Sequence, residues 1–220
     1  SANTLLAGLE PPRRSRLTAE ARSREAVAVW TLPGAKASEL DAFPSIQTAL
    51  IAEEALDIQP GSKSFFIPTT AQPVKGTVVL LHGWSAGTWQ FENMAPELAA
   101  KGYNVYVPRV EGHGFRKPDG TDDPTKLPRA GEHERYRAFA DKVYADVAAI
   151  GGPVHMAGLS GGGAVALDIA ARYPDVQDAL LFDPFLSPGD PSANTLFGIM
   201  RTLDRLTFGL ASQILKLIPV

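Results

Sequence analysis

One pentapeptide, set between a predicted strand and a predicted helix, constrains this chain most. Residues 158–162 read Gly-Leu-Ser-Gly-Gly and fit the pattern G-x-S-x-G. The mostly apolar run 153–157 precedes them, and residues 163–173 follow with apolar side chains at helical spacing. A sharp turn between strand and helix strains the backbone of its serine and exposes the hydroxyl at the strand's carboxyl end. Ser160 is therefore expected beside a helix N-terminus, where the helix dipole favours negative charge.

Glycine and serine are common in loops, so the pentapeptide alone is also compatible with a glycine-rich turn that carries a solvated serine. A second feature favours the first interpretation. Residues 77–81, Thr-Val-Val-Leu-Leu, are apolar or β-branched throughout. Such a run predicts a strand buried on both faces, as in parallel sheets. His82, Gly83 and Trp84 follow it directly.

The remaining pattern predicts alternating helices and strands. Glu92–Lys101 is expected to be helical, with Met94, Leu98 and Ala99 on one face. Residues 103–108 form the next predicted strand, and Gly112-His113-Gly114 follows it. Residues 108–129 form a long loop rich in Gly, Pro and Asp, of the kind that is often functional. Further helices are predicted at Thr18–Trp30, Ile46–Leu56 and Gly131–Ile150, and further strands at 65–67 and 179–182.

The order of these elements and motifs resembles that of the α/β-hydrolase family. The order is strand, His-Gly, helix, strand, Gly-His-Gly, long helix, strand and G-x-S-x-G. The chain looks like the monoacylglycerol-lipase and carboxylesterase branch of this family, and the resemblance covers about residues 60–190. The resemblance implies an α/β fold with a mostly parallel sheet and helices on both faces. It implies that Ser160 is the nucleophile and that the backbone N–H groups of Trp84 and Gly161 form the oxyanion hole. His82 is then a structural residue that shapes the loop.

The resemblance implies a base and an acid that follow the nucleophile in the order Ser, Asp or Glu, His. Asp183, at the carboxyl end of the strand 179–182, is a candidate acid, and the alternative interpretation is a residue that caps the strand end. None of the chain's four histidines matches the family's catalytic histidine, because all of them precede Ser160. They are His82, His113, His133 and His155, of which His113 and His133 lie in or beside loops near strand ends.

The last residues are interpreted as a cap over the active site. Residues 192–220 begin polar and continue as an apolar helix with side chains at spacings of three and four. The predicted organisation is an N-terminal helical extension (1–60), the first part of a hydrolase core (61–186) and a cap or lid (187–220). The resemblance implies that the rest of the core, with the catalytic histidine, lies on a C-terminal segment of the same protein. A helix that simply packs in the core is the other interpretation of 192–220.

Composition narrows the class of function. The 220 residues carry a net charge of −3 without a basic run, which argues against a nucleic-acid partner. The chain has no cysteine, which excludes a thiol nucleophile. No apolar run reaches the roughly 18 residues of a membrane span. No metal or organic cofactor is predicted. The compartment is left open, as cytoplasmic or as exported after N-terminal processing, because the sequence begins with Ser1.

Two functions of different classes follow from these observations. The first is a serine hydrolase that cleaves carboxylic esters, with an acyl chain, through an acyl-enzyme on Ser160. Amide and thioester substrates stay open within this class. The second is a non-catalytic hydrolase-like domain, which keeps the pocket, lacks a base, and binds a ligand or partner.

Overall fold

Helices and strands alternate along residues 40–129 and 131–186, the part of the chain that this computed structural model describes. The predicted helix Thr18–Trp30 and the predicted cap segment 187–220 lie outside these residues. The strands are β1 (Phe65–Ile67), β2 (Gly76–Leu81), β3 (Tyr103–Val107), β4 (Val154–Leu159) and β5 (Val176–Phe182). The α-helices are α1 (Pro44–Glu54), α2 (Met94–Ala100), α3 (His133–Ala148) and α4 (Gly161–Arg172).

The five strands form one mostly parallel sheet in the order β1-β3-β2-β4-β5. β2 lies at the centre, where Val78 pairs with Val105 of β3 and with His155 of β4. Only β1 runs antiparallel to its neighbour, β3. Parallel neighbours bring the carboxyl ends of β2 and β4 to the same edge of the sheet, so the residues that follow these two strands lie together.

Helices cover both faces of the sheet, as predicted. All six residues of β2 are buried, and they alternate between two hydrophobic clusters because successive side chains point to opposite faces. Val79 and Leu81 pack with side chains from α1, α3 and α4. Val78 and Leu80 pack with side chains from α2. A fully buried β2 explains why its sequence is a continuous apolar run rather than an alternating one.

The predicted apolar face of α2 is buried unevenly. α2 buries Ala95 and Ala99, whereas Met94 is 37% exposed and borders a groove beside the sheet. Leu98 borders the same groove and packs partly against the cluster of Val78 and Leu80. Small alanines occupy the most buried positions because they let the helix approach the strands closely.

α1 packs into the same core as the sheet. Its Ile46 is fully buried and contributes to the cluster that contains Phe66, Val79 and Val143. The helix thus contributes to the packing of the hydrolase-like part, although the sequence places it in an N-terminal extension. The division into extension, core and cap stays a prediction.

Two isoleucines on α1 provide a matched test of this packing. Ile46 is fully buried and Ile51 is 63% exposed. Ile46→Ala is expected to lower the free energy of unfolding by about 2–5 kcal/mol, through lost burial and the cavity left behind. Ile51→Ala is expected to change it by about 0.5 kcal/mol or less. Urea unfolding of the two variants measures the difference, and equal effects would show that α1 is not anchored in this core.

Candidate active site

Ser160 lies at the carboxyl end of β4 in a strained backbone conformation. Its φ of 52° and ψ of −115° lie in a region that non-glycine residues rarely occupy. Two backbone hydrogen bonds hold it there, from Ser160 N–H to the Phe182 carbonyl at 2.9 Å and from Phe185 N–H to the Ser160 carbonyl at 3.0 Å. The chain that leaves β5 therefore supports the turn, which is the strand-turn-helix context that the sequence predicted.

The glycines of the pentapeptide are required by close approaches of the backbone. A Cβ atom on Gly158 would lie 2.3 Å from the Gly162 carbonyl oxygen. A Cβ atom on Gly162 would lie 2.1 Å from the Leu81 carbonyl oxygen, at the end of β2. Both distances are far inside van der Waals contact. The first turn of α4 can therefore pack against β2 only with hydrogen at these positions.

In the loop after β2, side chains hold most of the backbone polar groups of Gly83 and Trp84. Gly83 N–H donates to Gln90 Oε1 at 2.8 Å. The Gly83 carbonyl accepts a hydrogen bond from His82 Nδ1–H at 2.9 Å, and the Trp84 carbonyl accepts one from His113 Nε2–H at 2.7 Å. Side chains thus hold three of the four polar backbone atoms of Gly83 and Trp84.

The fourth atom is the backbone nitrogen of Trp84, which faces the start of α4. A Cβ atom built on Gly161 would lie 3.5 Å from it. Neither Trp84 N–H nor Gly161 N–H donates a hydrogen bond to another residue of the described ranges. Gly161 N–H is one of the donors that a helix start leaves unpaired. Two free N–H groups therefore lie beside Ser160 and can bind an anionic oxygen.

His82 and His113 are buried, and each of their ring nitrogens faces a backbone atom. His82 Nε2 accepts from Val110 N–H at 3.0 Å while Nδ1–H donates to Gly83, so the ring is neutral in this arrangement. Burial lowers the pKa of His82 from 6.5 to about 4, helped by the nearby His113 and Arg109. Burial also lowers the pKa of His113, against the opposing effect of the carbonyl oxygens around its ring. Neither ring has a free nitrogen that faces Ser160.

The other two histidines occupy different surroundings. His155 lies on β4 with Nδ1 3.0 Å from Asp178 Oδ2, and it borders the groove beside α2. His133, at the start of α3, is 3.0 Å from Glu134 through Nε2 and lines the same cavity as Trp84 and Gly161. Of the four histidines, His133 is thus the one with an exposed ring at this cavity.

Asp183 follows β5 directly, with a φ of 44° and an exposed side chain. It lies within the turn whose flanking residues, Phe182 and Phe185, hydrogen-bond to Ser160. Its carboxylate has no hydrogen-bond or ion-pair partner among the residues described. The site therefore has a carboxylate beside the serine turn, with its role still a prediction.

A mostly apolar cavity of about 300 Å³ opens beside this arrangement. The hydroxyl of Tyr136 is buried and has no hydrogen-bond partner among the described residues. Burial raises the pKa of this phenol, so the group stays a neutral donor. The lining of the cavity includes Trp84, Val110, Tyr136, Val165 and Phe185.

Two kinds of feature are absent from the described residues. Within residues 40–129 and 131–186, no group of three or more His, Cys, Asp or Glu side chains is arranged to hold a metal ion. In the same ranges, no helix combines the length and the apolar character needed to cross a membrane.

Sequence reasoning missed the residues that hold the loop after β2. Gln90 and His113 are 7 and 29 residues from the backbone atoms that they contact. The Gly-His-Gly motif did single out His113. Its bond to Trp84 carried no sequence signal, because it depends on how two loops meet at the sheet edge.

Comparison with known proteins extends over most of the described region. A family model described as "Alpha/beta hydrolase family" matches residues 78–217. Lipase 1 of Psychrobacter immobilis is 30% identical over 120 residues, which cover 53% of this chain and 34% of the lipase. The pimeloyl-[acyl-carrier protein] methyl ester esterase of Xanthomonas oryzae pv. oryzae is 34% identical over 100 residues, or 46% of this chain and 33% of the esterase. The chain thus matches about a third of the length of these relatives.

A solved structure shares the fold. The monoacylglycerol lipase of Paleococcus ferrophilus superposes with a TM-score of 0.50 and 21% sequence identity. The superposition covers 66% of this chain and 51% of the lipase. The predicted α/β-hydrolase architecture, and its likeness to this branch, are confirmed at the level of the fold.

The low pKa of His82 predicts how stability depends on pH. The unfolded chain binds a proton near pH 6.5, whereas folded His82 binds one only near pH 4. The contribution of neutral His82 to the free energy of unfolding is therefore complete above pH 6.5. It is lost as the pH falls towards 4, at up to about 1.4 kcal/mol per pH unit. His82→Asn keeps a donor for the Gly83 carbonyl and does not titrate. Urea unfolding between pH 4 and 7 should give this variant a shallower slope, and an unchanged slope would contradict the assignment.

Proposed function

This chain belongs to the alpha/beta hydrolase family, and we propose that its protein is a serine hydrolase that cleaves carboxylic esters through an acyl-enzyme on Ser160. One observation carries the proposal. Ser160 stands in a strained turn at the end of β4, and the free N–H groups of Trp84 and Gly161 lie beside it. The lipase and the esterase among the relatives support an ester as the substrate class.

In the proposed reaction, Ser160 Oγ attacks the ester carbonyl carbon while a base takes the hydroxyl proton. The carbonyl oxygen becomes an oxyanion and accepts hydrogen bonds from Trp84 N–H and Gly161 N–H. The C–O bond to the leaving group then breaks, and the alcohol leaves with the proton from the base. Water, activated by the same base, attacks the acyl-enzyme, releases the carboxylic acid and restores the Ser160 hydroxyl.

We assign the base to a histidine of a C-terminal segment of the same protein. The contacts of His82 and His113 support this assignment, because each ring nitrogen already faces a backbone partner. His155 lines the groove beside α2 instead of the cavity beside Ser160. Asp183 is the candidate acid, since it follows β5 at the same sheet edge. His133 is the residue to mutate if the 220-residue chain proves active by itself.

The cavity supports an acyl chain as the part of the substrate that is recognised. Its lining is mostly apolar, and the polar side chains in it include Tyr136, His133 and Arg137. Burial of an apolar chain there would contribute binding free energy at about 25 cal/mol per Å² of apolar area removed from water.

Labelling tests the nucleophile separately from the substrate. In the full-length protein, a fluorophosphonate probe is expected to modify Ser160, because only an activated serine reacts with it. Ser160→Ala should abolish labelling. Ser85→Ala, which removes an exposed hydroxyl from the neighbouring loop, should retain it. Mass spectrometry of the labelled peptide identifies the site. A folded full-length protein without labelling at Ser160 would favour the non-catalytic binding domain instead.

Two substitutions at one position test the first oxyanion donor. Trp84→Ala keeps the backbone N–H, so kcat should change little while KM or acyl preference changes. Trp84→Pro removes the N–H itself and is expected to lower kcat on the order of 10²-fold or more. Steady-state hydrolysis of p-nitrophenyl esters by the full-length protein measures both, with thermal melting to verify folding. Equal losses in the two folded variants would contradict the donor role of Trp84.

A further inference from the structure

His113 connects two loops at the sheet edge. Its Nε2 lies 2.7 Å from the Trp84 carbonyl oxygen and its Nδ1 lies 3.0 Å from the Glu111 carbonyl oxygen. A neutral imidazole carries one N–H, and the shorter contact assigns it to Nε2, as a donor to Trp84. The ring also meets the Trp84 indole edge-on with centroids 5.4 Å apart. The imidazole is 4% exposed. The contact joins the loop that follows β3 to the loop that follows β2, so the position of Trp84 depends on the position of His113.

The backbone on both sides of His113 is adapted to this placement. Gly112 and Gly114 have φ angles of 77° and 71°, in the left-handed region that favours glycine. A Cβ atom on Gly112 would lie 2.5 Å from the Lys126 carbonyl oxygen, and one on Gly114 would lie 2.7 Å from Ser62 Cβ. The Gly-His-Gly motif therefore turns the chain tightly enough to direct the imidazole at Trp84.

Arg109 holds the main chain of His113. Its Nη1–H donates to the His113 carbonyl at 2.8 Å, and its guanidinium lies 4.7 Å from the centre of the Phe115 ring. Its Nε lies 3.3 Å from Glu53 Oε1, so the two side chains form an ion pair. This contact does not have the geometry of a hydrogen bond. The two side chains are only 9% and 14% exposed, so water screens their attraction weakly.

Glu53 is itself fixed at the end of α1. The backbone N–H and the hydroxyl of Ser64 donate to its two carboxylate oxygens, each at 2.8 Å. The same Ser64 hydroxyl oxygen accepts from Arg109 N–H at 2.8 Å. A continuous set of polar contacts thus runs from Glu53 on α1 through Arg109 to His113 and on to the Trp84 carbonyl.

We propose that His113 is a positioning residue for the oxyanion donor at Trp84, and that Glu53 of α1 acts on that donor through Arg109 and His113. The inference rests on the proposed function, because it concerns how the proposed oxyanion hole is held. None of the three side chains contacts the reacting atoms in this assignment.

The peptide geometry gives the physical reason. Trp84 N–H belongs to the peptide whose carbonyl, that of Gly83, is held by His82. The next carbonyl, that of Trp84, is held by His113. With both carbonyls held, rotation about the Trp84 Cα is blocked and the N–H keeps its direction before substrate arrives. Such a preorganised donor stabilises the transition state without reorganisation at the moment of reaction.

Substitution of His113 provides the first test, with p-nitrophenyl ester hydrolysis by the full-length protein. His113→Leu removes the donor and is expected to lower kcat between about tenfold and a hundredfold, with KM little changed. His113→Gln places an amide N–H near the position of Nε2 and should keep kcat within about threefold of the wild type. Equal losses for Leu and Gln, or a loss confined to KM, would overturn the assignment.

Substitution of Glu53 tests the longer connection. Glu53→Gln is expected to lower kcat by about threefold to tenfold, because it removes one charge of a buried pair. Asp57→Asn, which breaks the exposed Asp57–Arg116 pair nearby, is the matched control and should leave kcat unchanged. In the His113→Leu background, Glu53→Gln should have no further effect on kcat. Additive losses would show that Glu53 does not act through His113.

Two further outcomes are informative. If His113→Leu does not fold, Glu53→Gln still tests the proposal, because it leaves every residue of the loop after β2 in place. Ser160→Ala, assayed in parallel, separates the two hypotheses. Hydrolysis that persists in Ser160→Ala would overturn the proposed function and this inference with it. Hydrolysis that disappears in Ser160→Ala but is unaffected by His113→Leu and Glu53→Gln would overturn the inference alone.

Discussion

The contact between the first turn of α4 and the end of β2 is the constraint on which the rest of the site depends. A single Cβ atom on Gly162 would lie 2.1 Å from the Leu81 carbonyl oxygen, so the helix cannot approach the strand with any larger residue there. This approach brings Gly161 beside Trp84 and leaves Ser160 in its strained turn. The strain, of order 1–3 kcal/mol, persists because packing on both sides over-determines the conformation.

Beside this contact, side chains pair most of the backbone polar groups of Gly83 and Trp84, and two N–H groups stay unpaired within the described ranges. Both carbonyls next to Trp84 and the N–H of Gly83 have side-chain partners, whereas the N–H groups of Trp84 and Gly161 have none among the described residues. Both groups border the open cavity beside Ser160, so they are available as donors to an anionic oxygen of a bound ligand.

Local patterns predicted the elements well and the contacts between them poorly. The apolar run of β2 and the pattern around Ser160 depend on neighbours in the chain, and both appear as predicted. Of the predicted apolar face of α2, only Ala99 is buried, since close helix-sheet packing favours small side chains. The link from Glu53 through Arg109 to His113 had no sequence signature, because its members come from α1 and from the loop after β3.

The sequence by itself determined the order of strands and helices, the serine turn and the family, because these follow from short-range periodicity and from glycines that no other residue can replace. Only the tertiary structure decided which backbone groups around Ser160 are held and which are free. The pairing of these groups depends on residues that are tens of positions apart in the chain. The contact of His113 with the Trp84 carbonyl is one case, and the parallel pairing of β2 and β3 brings the two residues together. Burial then affects the chemistry of His82 and His113, because it removes water from the imidazoles and lowers the pKa of both.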